Sequence, residues 1–219
     1  MIQVRDLGTL AYRDAWAVQE EAQAEVVAGG EERLLLVEHP PVITFGRRPE
    51  QWNHLLASLE RLAEMGVELV HSDRGGDITF HGPGQVVAYP IIRLADHALS
   101  VGGYVRALED AGVRAAAEVG IEARREHGQV GIWTDQGKLG AIGVRVRRGV
   151  TMHGMALNVE TDLRYFELIV PCGIAGRKAT SVRRILGPRA PAMESVKRIL
   201  ADAIRGVFAR AARPTCTRH

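Results

Sequence analysis

Apolar residues recur along the chain with two spacings, which separate helices from strands. Within 10–28, Ala15, Val18 and Ala22 return every three or four positions, as on one face of an amphipathic helix. Short continuous apolar runs that stop at Pro or Gly, such as 33–39, are typical of buried strands. The pattern predicts helices over 10–28, 58–65, 101–119, 181–186 and 191–211. It predicts strands over 33–39, 42–45, 67–70, 78–80, 85–89, 121–124, 130–133, 139–146 and 150–159.

The order of these elements predicts the fold class. Thr9 and Ser58 are candidate N-caps of the first two helices. The helices flank clusters of adjacent strands, and the strands after residue 121 are joined by short Gly-containing connections typical of antiparallel hairpins. We therefore predict an α+β fold with a mixed, largely antiparallel sheet flanked by helices. One domain over 1–219 with a frayed tail at 213–219 is expected, and a smaller lobe after about residue 165 is the alternative.

Composition and charge exclude several classes of protein. Hydrophobic residues make up 46% and charged residues 25%, as in a globular protein, and a net charge of +2 is too small to indicate nucleic-acid binding. No apolar run approaches the ~18 residues of a membrane span, and a secretory signal is not recognisable. Two cysteines favour free thiols over a disulfide framework. We expect a cytoplasmic protein without nucleic-acid or membrane partners.

The basic residues are divided very unevenly. Of 28 Lys and Arg residues only Lys138, Lys178 and Lys197 are lysines. A buried lysine can shift its pKa and exchange a proton, whereas arginine stays charged. Each lysine is therefore a candidate for chemistry, although a compositional preference for arginine would leave the same three residues.

Glycine marks a first candidate site at 74–85, RGGDITFHGPGQ. Glycine permits positive φ or a close approach of backbone to a ligand. The stretch matches neither a phosphate-binding loop nor a dinucleotide-binding fingerprint. It either lines a ligand or forms a tight hairpin in which His81 is a solvated loop residue.

A second stretch, 137–159, begins with Lys138 and has glycines inside predicted strands. Such glycines indicate a bulge or a backbone that lies against a ligand. His153 and Gly154 lie in the return strand. The alternative is an exposed hairpin whose basic tip consists of Arg145, Arg147 and Arg148.

A third stretch, 170–181, places Cys172 between Pro171 and Gly173. A thiolate is a strong nucleophile, but a thiol with a pKa of ~8.5 needs a neighbouring amine or imidazole to activate it at neutral pH. An inert buried cysteine is the alternative. The sequence contains no metal-binding motif and no nucleophile elbow.

Together the three stretches, in this order, resemble the lipoyl(octanoyl) transferases over roughly residues 5–211. Asp77 and Phe80 depart from the family's common residues and are not expected to touch the chemistry. The resemblance implies a fold shared with biotin- and lipoate-protein ligases. It also implies transfer of an octanoyl group from acyl carrier protein to the lysine ε-amine of a lipoyl domain, with neither cofactor nor metal.

The resemblance also implies site residues and partners. Cys172 matches the acyl-accepting nucleophile and Lys138 its basic partner. Segments around the acyl site correspond to Arg74, Gly75, Gly76, Asp77, Ile78, Thr79, Phe80, His81, Ala141, Ile142, Gly143, His153, Gly154, Met155 and Ala156. The implied acceptors are lipoyl domains of 2-oxoacid dehydrogenase E2 subunits and the glycine cleavage H protein, and a monomer is expected.

The chemistry of these residue types fits a two-step transfer. Cys172 would take the acyl group from one thioester and pass it to an amine, while Lys138 lowers the thiol pKa when charged and accepts a proton when neutral. His81 and His153 are candidates to position the carbonyl or to orient Lys138. Backbone N–H groups near Gly76 and Gly173 are candidates for the oxyanion site. A basic approach surface is predicted at Arg177, Lys178, Arg183 and Arg184.

Two other functions remain open from the sequence. An ATP-dependent lipoate-protein ligase would need a phosphate-binding basic loop and no nucleophilic cysteine. A non-catalytic acyl-binding protein would explain the glycines but not the pairing of Cys172 with Lys138.

Overall fold

The computed structural model describes residues 2–48, 51–170 and 178–211, which form a mixed α+β architecture. The helices are α1 Tyr12–Val27, α2 Leu59–Glu64, α3 Val101–Glu118, α4 Val182–Leu186 and α5 Met193–Ala211. The strands are β1 Gln3–Thr9, β2 Arg33–Glu38, β3 Val42–Phe45, β4 Glu68–His71, β5 Thr79–His81, β6 Gln85–Ile91, β7 Arg124–Glu126, β8 Gln129–Thr134, β9 Gly137–Arg147 and β10 Val150–Asn158. None of the described helices combines the length and apolar composition needed to cross a membrane.

The strands form two sheets. The larger has the order β1-β2-β6-β10-β9-β8-β7, in which only the β1–β2 pair is parallel. The smaller has the order β4-β3-β5, with β3 parallel to β4 and antiparallel to β5. The predicted α+β fold with a mixed, largely antiparallel sheet is confirmed.

Helices cover both faces of the large sheet. Leu34 and Leu36 of β2 pack into the cluster that contains α3 and α5, whereas Leu35 and Val37 pack into the cluster that contains α1. Successive side chains of a strand point to opposite faces. A strand buried on both faces therefore has the continuous apolar run from which β2 was predicted.

The chain before α1 differs from the prediction. Residues 3–9 form β1, an edge strand whose side chains are mostly exposed, so it lacks the apolar run that predicts buried strands. Thr9 ends this strand and does not cap α1. That helix begins at Tyr12 after Ala11, which offers no side-chain cap. The predicted cap of α2 is confirmed, because the Ser58 side chain accepts a hydrogen bond from the Arg61 N–H.

Lys197 of α5 is buried in an ion-pair cluster that fastens the helix to the large sheet. Its Nζ lies 3.2 Å from Asp6 in β1, 3.3 Å from Glu38 in β2 and 3.1 Å from Glu194. The other carboxylate oxygen of Glu38 accepts a hydrogen bond from the Gly84 N–H. The contacts of this lysine are therefore structural, and its rarity in the sequence does not indicate catalysis.

Candidate active site

A cavity of about 490 Å³, including its open mouth, lies on the large sheet beneath the segment 74–81. Thirteen of the fifteen predicted acyl-site residues line it, together with Lys138. These residues are Arg74, Gly76, Asp77, Ile78, Thr79, His81, Ala141, Ile142, Gly143, His153, Gly154, Met155 and Ala156. The sequence did not single out three further lining residues, Tyr12, Val87 and Tyr89, because each reads as ordinary core of an amphipathic helix or strand.

Gly75 and Phe80 are not among the lining residues, so the structure does not place them at the predicted acyl site. Phe80 packs in the small-sheet cluster, with its ring stacked on Tyr165 at 4.6 Å between centroids. The Gly75 N–H donates to the carbonyl of Val144 at 2.8 Å, which ties the glycine-rich segment to β9. Asp77, which the sequence analysis expected to stay clear of the chemistry, does line the cavity.

Close backbone approach explains the glycines around the cavity. A Cβ on Gly143 would lie 2.7 Å from the Gly75 oxygen, and one on Gly154 would lie 2.1 Å from the oxygen of Ala88. Both separations are shorter than real Cβ contacts, so any side chain here would push neighbouring backbone apart. Gly76 has φ +94°. A simple hairpin turn does not account for this arrangement.

Arg74 is a buried cation in the cavity wall. Its Nη2 donates to the Thr44 carbonyl at 2.7 Å and to the Thr44 hydroxyl at 2.8 Å, and its Nη1 donates to the Gly75 carbonyl at 3.1 Å. The guanidinium thereby connects the glycine-rich segment to β3 of the small sheet. Its positive charge also helps to lower the pKa of His81 and His153.

His81 is buried, so its interpretation as a solvated loop residue is wrong. Burial, with a smaller contribution from the nearby His39, lowers its pKa to about 3, so the imidazole is neutral. Its Nδ1 lies 2.7 Å from Gln85 Oε1. The ring stacks on Tyr12 at 5.9 Å between centroids and meets His39 edge-on at 5.8 Å.

His153 has a left-handed backbone, with φ +56°, in the middle of β10. Its Nε2 lies 2.7 Å from a carboxylate oxygen of Asp73, and the other oxygen pairs with Arg145. Burial, with Arg74 and Arg145, lowers the His153 pKa to about 3. Arg145 therefore belongs to this partly buried network and not to an exposed basic tip, whereas Arg147 and Arg148 are exposed.

Lys138 lies at the start of β9, where the chain flanking Cys172 is anchored. Its backbone N–H donates to the Lys178 carbonyl at 2.9 Å, and its carbonyl accepts from the Thr180 N–H at 2.9 Å. Its Nζ lies 5.2 Å from the centre of the Trp133 ring. The side chain borders the main cavity and also a second one, lined by Trp133, Phe166 and Lys178 among others.

Cys172, Gly173 and Arg177 lie outside the described residues. The chain enters this segment at Val170, whose N–H donates to the His54 carbonyl at 2.8 Å, and leaves it at Lys178. Lys178, Arg183 and Arg184 are exposed. Among the residues that the structure describes, no group of three or more His, Cys, Asp or Glu side chains could hold a metal ion.

A comparison of Gly76→Ala with Gly66→Ala should distinguish an effect on activity from an effect on stability. Both glycines have positive φ, so each substitution should destabilise the fold by about 1–2 kcal/mol. Gly66 has open space around its Cβ position, whereas Gly76 lines the cavity, where a Cβ would lie 3.3 Å from Arg74 Nη1. Only Gly76→Ala should lose the transfer activity that the resemblance implies, by about tenfold. Urea unfolding and initial rates measure the two effects, and equal activity of the variants would contradict a role for Gly76 at the cavity.

Comparison with known proteins extends over nearly the whole chain. The model of the lipoyl protein ligase A/B catalytic domain matches residues 11–205. An octanoyltransferase of Geobacter metallireducens is 49% identical over 86% of this chain and 85% of its own. One of Chloroflexus aurantiacus is 48% identical over 94% and 93% of the two chains, and one of Mycobacterium leprae is 46% identical over 93% and 86%.

Solved structures share the fold at low sequence identity. Lipoate-protein ligase A bound with ATP superposes with a TM-score of 0.81 at 17% identity, covering 95% of this chain and 85% of that one. Biotin protein ligase of Aquifex aeolicus, in complex with biotin and ATP, superposes with a TM-score of 0.57 at 12% identity, covering 96% and 72%. At these identities the likeness concerns the fold alone.

Proposed function

This chain belongs to the lipoyl protein ligase A/B catalytic domain family and acts in octanoyl transfer for protein lipoylation, and on that premise we propose a two-step route through a thioester on Cys172. An acyl donor and a lipoyl-domain acceptor belong to that activity. Acyl carrier protein as the donor, and E2 lipoyl domains and the H protein as acceptors, are part of the proposal. The cytoplasmic location and the monomeric state stay predictions.

The position of Lys138 carries the proposal. Its side chain borders the cavity, and its backbone holds the residues that follow the Cys172 segment. Lys138 is thus tied directly to the chain that bears the proposed nucleophile. A purely acyl-binding protein would need the apolar lining but not this pairing.

In the first step the Cys172 thiolate attacks the carbonyl carbon of the donor thioester. A new C–S bond forms, the bond to the carrier's thiol breaks, and the departing thiolate takes a proton from charged Lys138. A positive charge beside the thiol also favours its thiolate form.

In the second step the acceptor amine attacks octanoyl-Cys172. A C–N bond forms, the C–S bond breaks, and the amine loses a proton to neutral Lys138 while the thiolate of Cys172 is restored. In this proposal, backbone N–H groups near Gly76, a residue that lines the cavity, stabilise the carbonyl oxygen as charge develops. Splitting the transfer lets one site serve two protein substrates in turn.

The exposed cations near this site fit the donor. Lys178 and the α4 residues Arg183 and Arg184 are exposed just beyond the Cys172 segment. The phosphopantetheine arm of a carrier protein bears a phosphate, which positive side chains attract. Raising the salt concentration should therefore weaken donor binding more than it slows transfer from saturating donor.

Intact-mass analysis after incubation with octanoyl carrier protein, without acceptor, tests the proposal. A stable gain of one octanoyl group that a lipoyl domain then removes is the expected result. Absence of the adduct would contradict the thioester route. ATP-dependent attachment of free octanoate by the purified protein would instead assign it the chemistry of a ligase.

A further inference from the structure

A chain of buried side-chain hydrogen bonds runs from the cavity to the residues beyond Cys172. It begins at His81 Nδ1, which lies 2.7 Å from Gln85 Oε1. Gln85 Nε2 donates to Asn158 Oδ1 at 2.8 Å, and Asn158 Nδ2 donates to the Thr180 carbonyl at 2.9 Å. His81, Gln85 and Asn158 are all at least 94% buried.

Two backbone carbonyls fix the direction of every bond in this chain. The carbonyl of Thr180 can only accept, so the amide nitrogen of Asn158 must face it and the amide oxygen must face Gln85. Gln85 in turn directs its nitrogen to Asn158 and, at 3.3 Å, to the carbonyl of Phe80. Its oxygen is left facing His81, so His81 Nδ1 must carry the hydrogen.

We propose that Gln85 and Asn158 are positioning residues that hold His81 as the Nδ1–H tautomer, so that its Nε2 accepts a hydrogen bond from the amine of the acceptor lysine. This inference rests on the octanoyl transfer described under Proposed function. In a neutral imidazole, one nitrogen donates and the other accepts. His81 therefore cannot donate to the acyl carbonyl, which leaves that task to backbone N–H groups.

The position of His81 suits this task. It lines the same cavity as Lys138, and its ring plane is held by stacking on Tyr12 and by edge contact with His39. An amine that enters the cavity would be held by Nε2 with its lone pair free to attack the thioester. Lys138 then takes the proton, and His81 itself exchanges none.

Several titratable and charged groups surround His81. They are Tyr12 of α1, His39 after β2, Arg74 and Asp77 before β5, Tyr89 of β6, Lys138 of β9 and His153 of β10. Burial, His39 and Arg74 lower its pKa to about 3. The wild-type protein should therefore show no loss of acceptor transfer from His81 titration above pH 5.

Gln85→Glu tests the direction of the hydrogen bonds between His81, Gln85 and Asn158. A carboxylate still accepts from Nδ1–H, but its negative charge raises the pKa of His81, so the imidazole becomes a cation whose Nε2 donates. We expect discharge of octanoyl-Cys172 to fall about tenfold at neutral pH and to recover as pH rises above the new pKa. Formation of the thioester should change by less than about threefold.

Gln23→Glu is the matched control. Gln23 of α1 is also buried and donates to the backbone carbonyl of Val150 in β10, the strand that carries Asn158. The same amide-to-carboxyl change there should leave the pH dependence of discharge unaltered. If the rate of discharge fell towards acidic pH in the same way in both variants, the proposal would be overturned, because the fall would indicate general destabilisation.

The tautomer can be observed directly, without any acyl substrate. Long-range 15N–1H NMR of the histidine-labelled wild-type protein should show His81 with a protonated Nδ1 and an unprotonated Nε2 at neutral pH, assigned by the signals lost in His81→Gln. The opposite tautomer, or a cation, would overturn the proposal. So would normal discharge by a Gln85→Glu protein whose His81 is shown to be cationic. Because the tautomer does not depend on catalysis, failure of the thioester route would be seen separately.

Discussion

Cys172→Ser should form no acyl adduct with octanoyl carrier protein and should lose transfer by about three orders of magnitude. The hydroxyl of serine is not ionised near neutral pH, and Lys138 cannot lower its pKa far enough to supply an alkoxide. Intact mass and initial rates measure both effects.

Cys216→Ser is the matched control for that variant. It makes the same chemical change at the other cysteine, in the C-terminal tail, and should alter neither adduct formation nor rate. A Cys172→Ser protein that keeps more than about a tenth of the wild-type rate would exclude the covalent route.

Lys138→Arg should separate the two half-reactions. Arginine keeps the positive charge that favours the thiolate, and a departing thiolate can leave without taking a proton. Arginine cannot, however, become a neutral base at any working pH. Thioester formation should therefore stay within about tenfold of wild type, while discharge to a lipoyl domain falls by about a hundredfold and octanoyl-Cys172 accumulates. Single-turnover measurements of each step give the two rates.

In Lys138→Arg, the effect of the larger side chain must be separated from the effect of losing a neutral base. A Cβ on Gly131 would lie 2.6 Å from Lys138 Cε, so the lysine stem passes closely over this glycine. A larger guanidinium that merely displaced the thiol would slow both steps together. Arg147→Lys, the reverse exchange at the exposed end of β9, should change neither step. Normal discharge by Lys138→Arg would show that another group accepts the proton.

The fold could be predicted largely because the central strands of the large sheet are buried on both faces. Strands such as β2 and β6 contain continuous apolar runs, a signal that needs no knowledge of their neighbours. The edge strand β1 has no such signal, since its pairing with β2 depends on backbone hydrogen bonds and not on side-chain burial. Without a signal for β1, Thr9 is the first capping residue before the apolar positions of α1, although it ends the strand.

The candidate site could be predicted only where its residues are unusual in the local sequence. The glycines and Lys138 were visible because each is unusual in its stretch of sequence. Tyr12 and Gln85 are not unusual in this way. The sequence pattern places Tyr12 on the buried face of a helix and Gln85 at the start of a strand. Their importance arises from contacts with residues 60 and 73 positions away, Ser72 and Asn158, which only the folded chain brings together.

The two backbone anchors around Cys172 have a consequence for protein engineering. Val170 is held by His54 and Lys178 by Lys138, so the seven intervening residues connect two fixed points. Doubling the length of such a connection costs only about 0.6 kcal/mol of closure entropy. Insertions there would consequently leave the melting temperature almost unchanged while altering the reach of the nucleophile. Screening by thermal stability would pass these variants, and only an acylation assay would distinguish them.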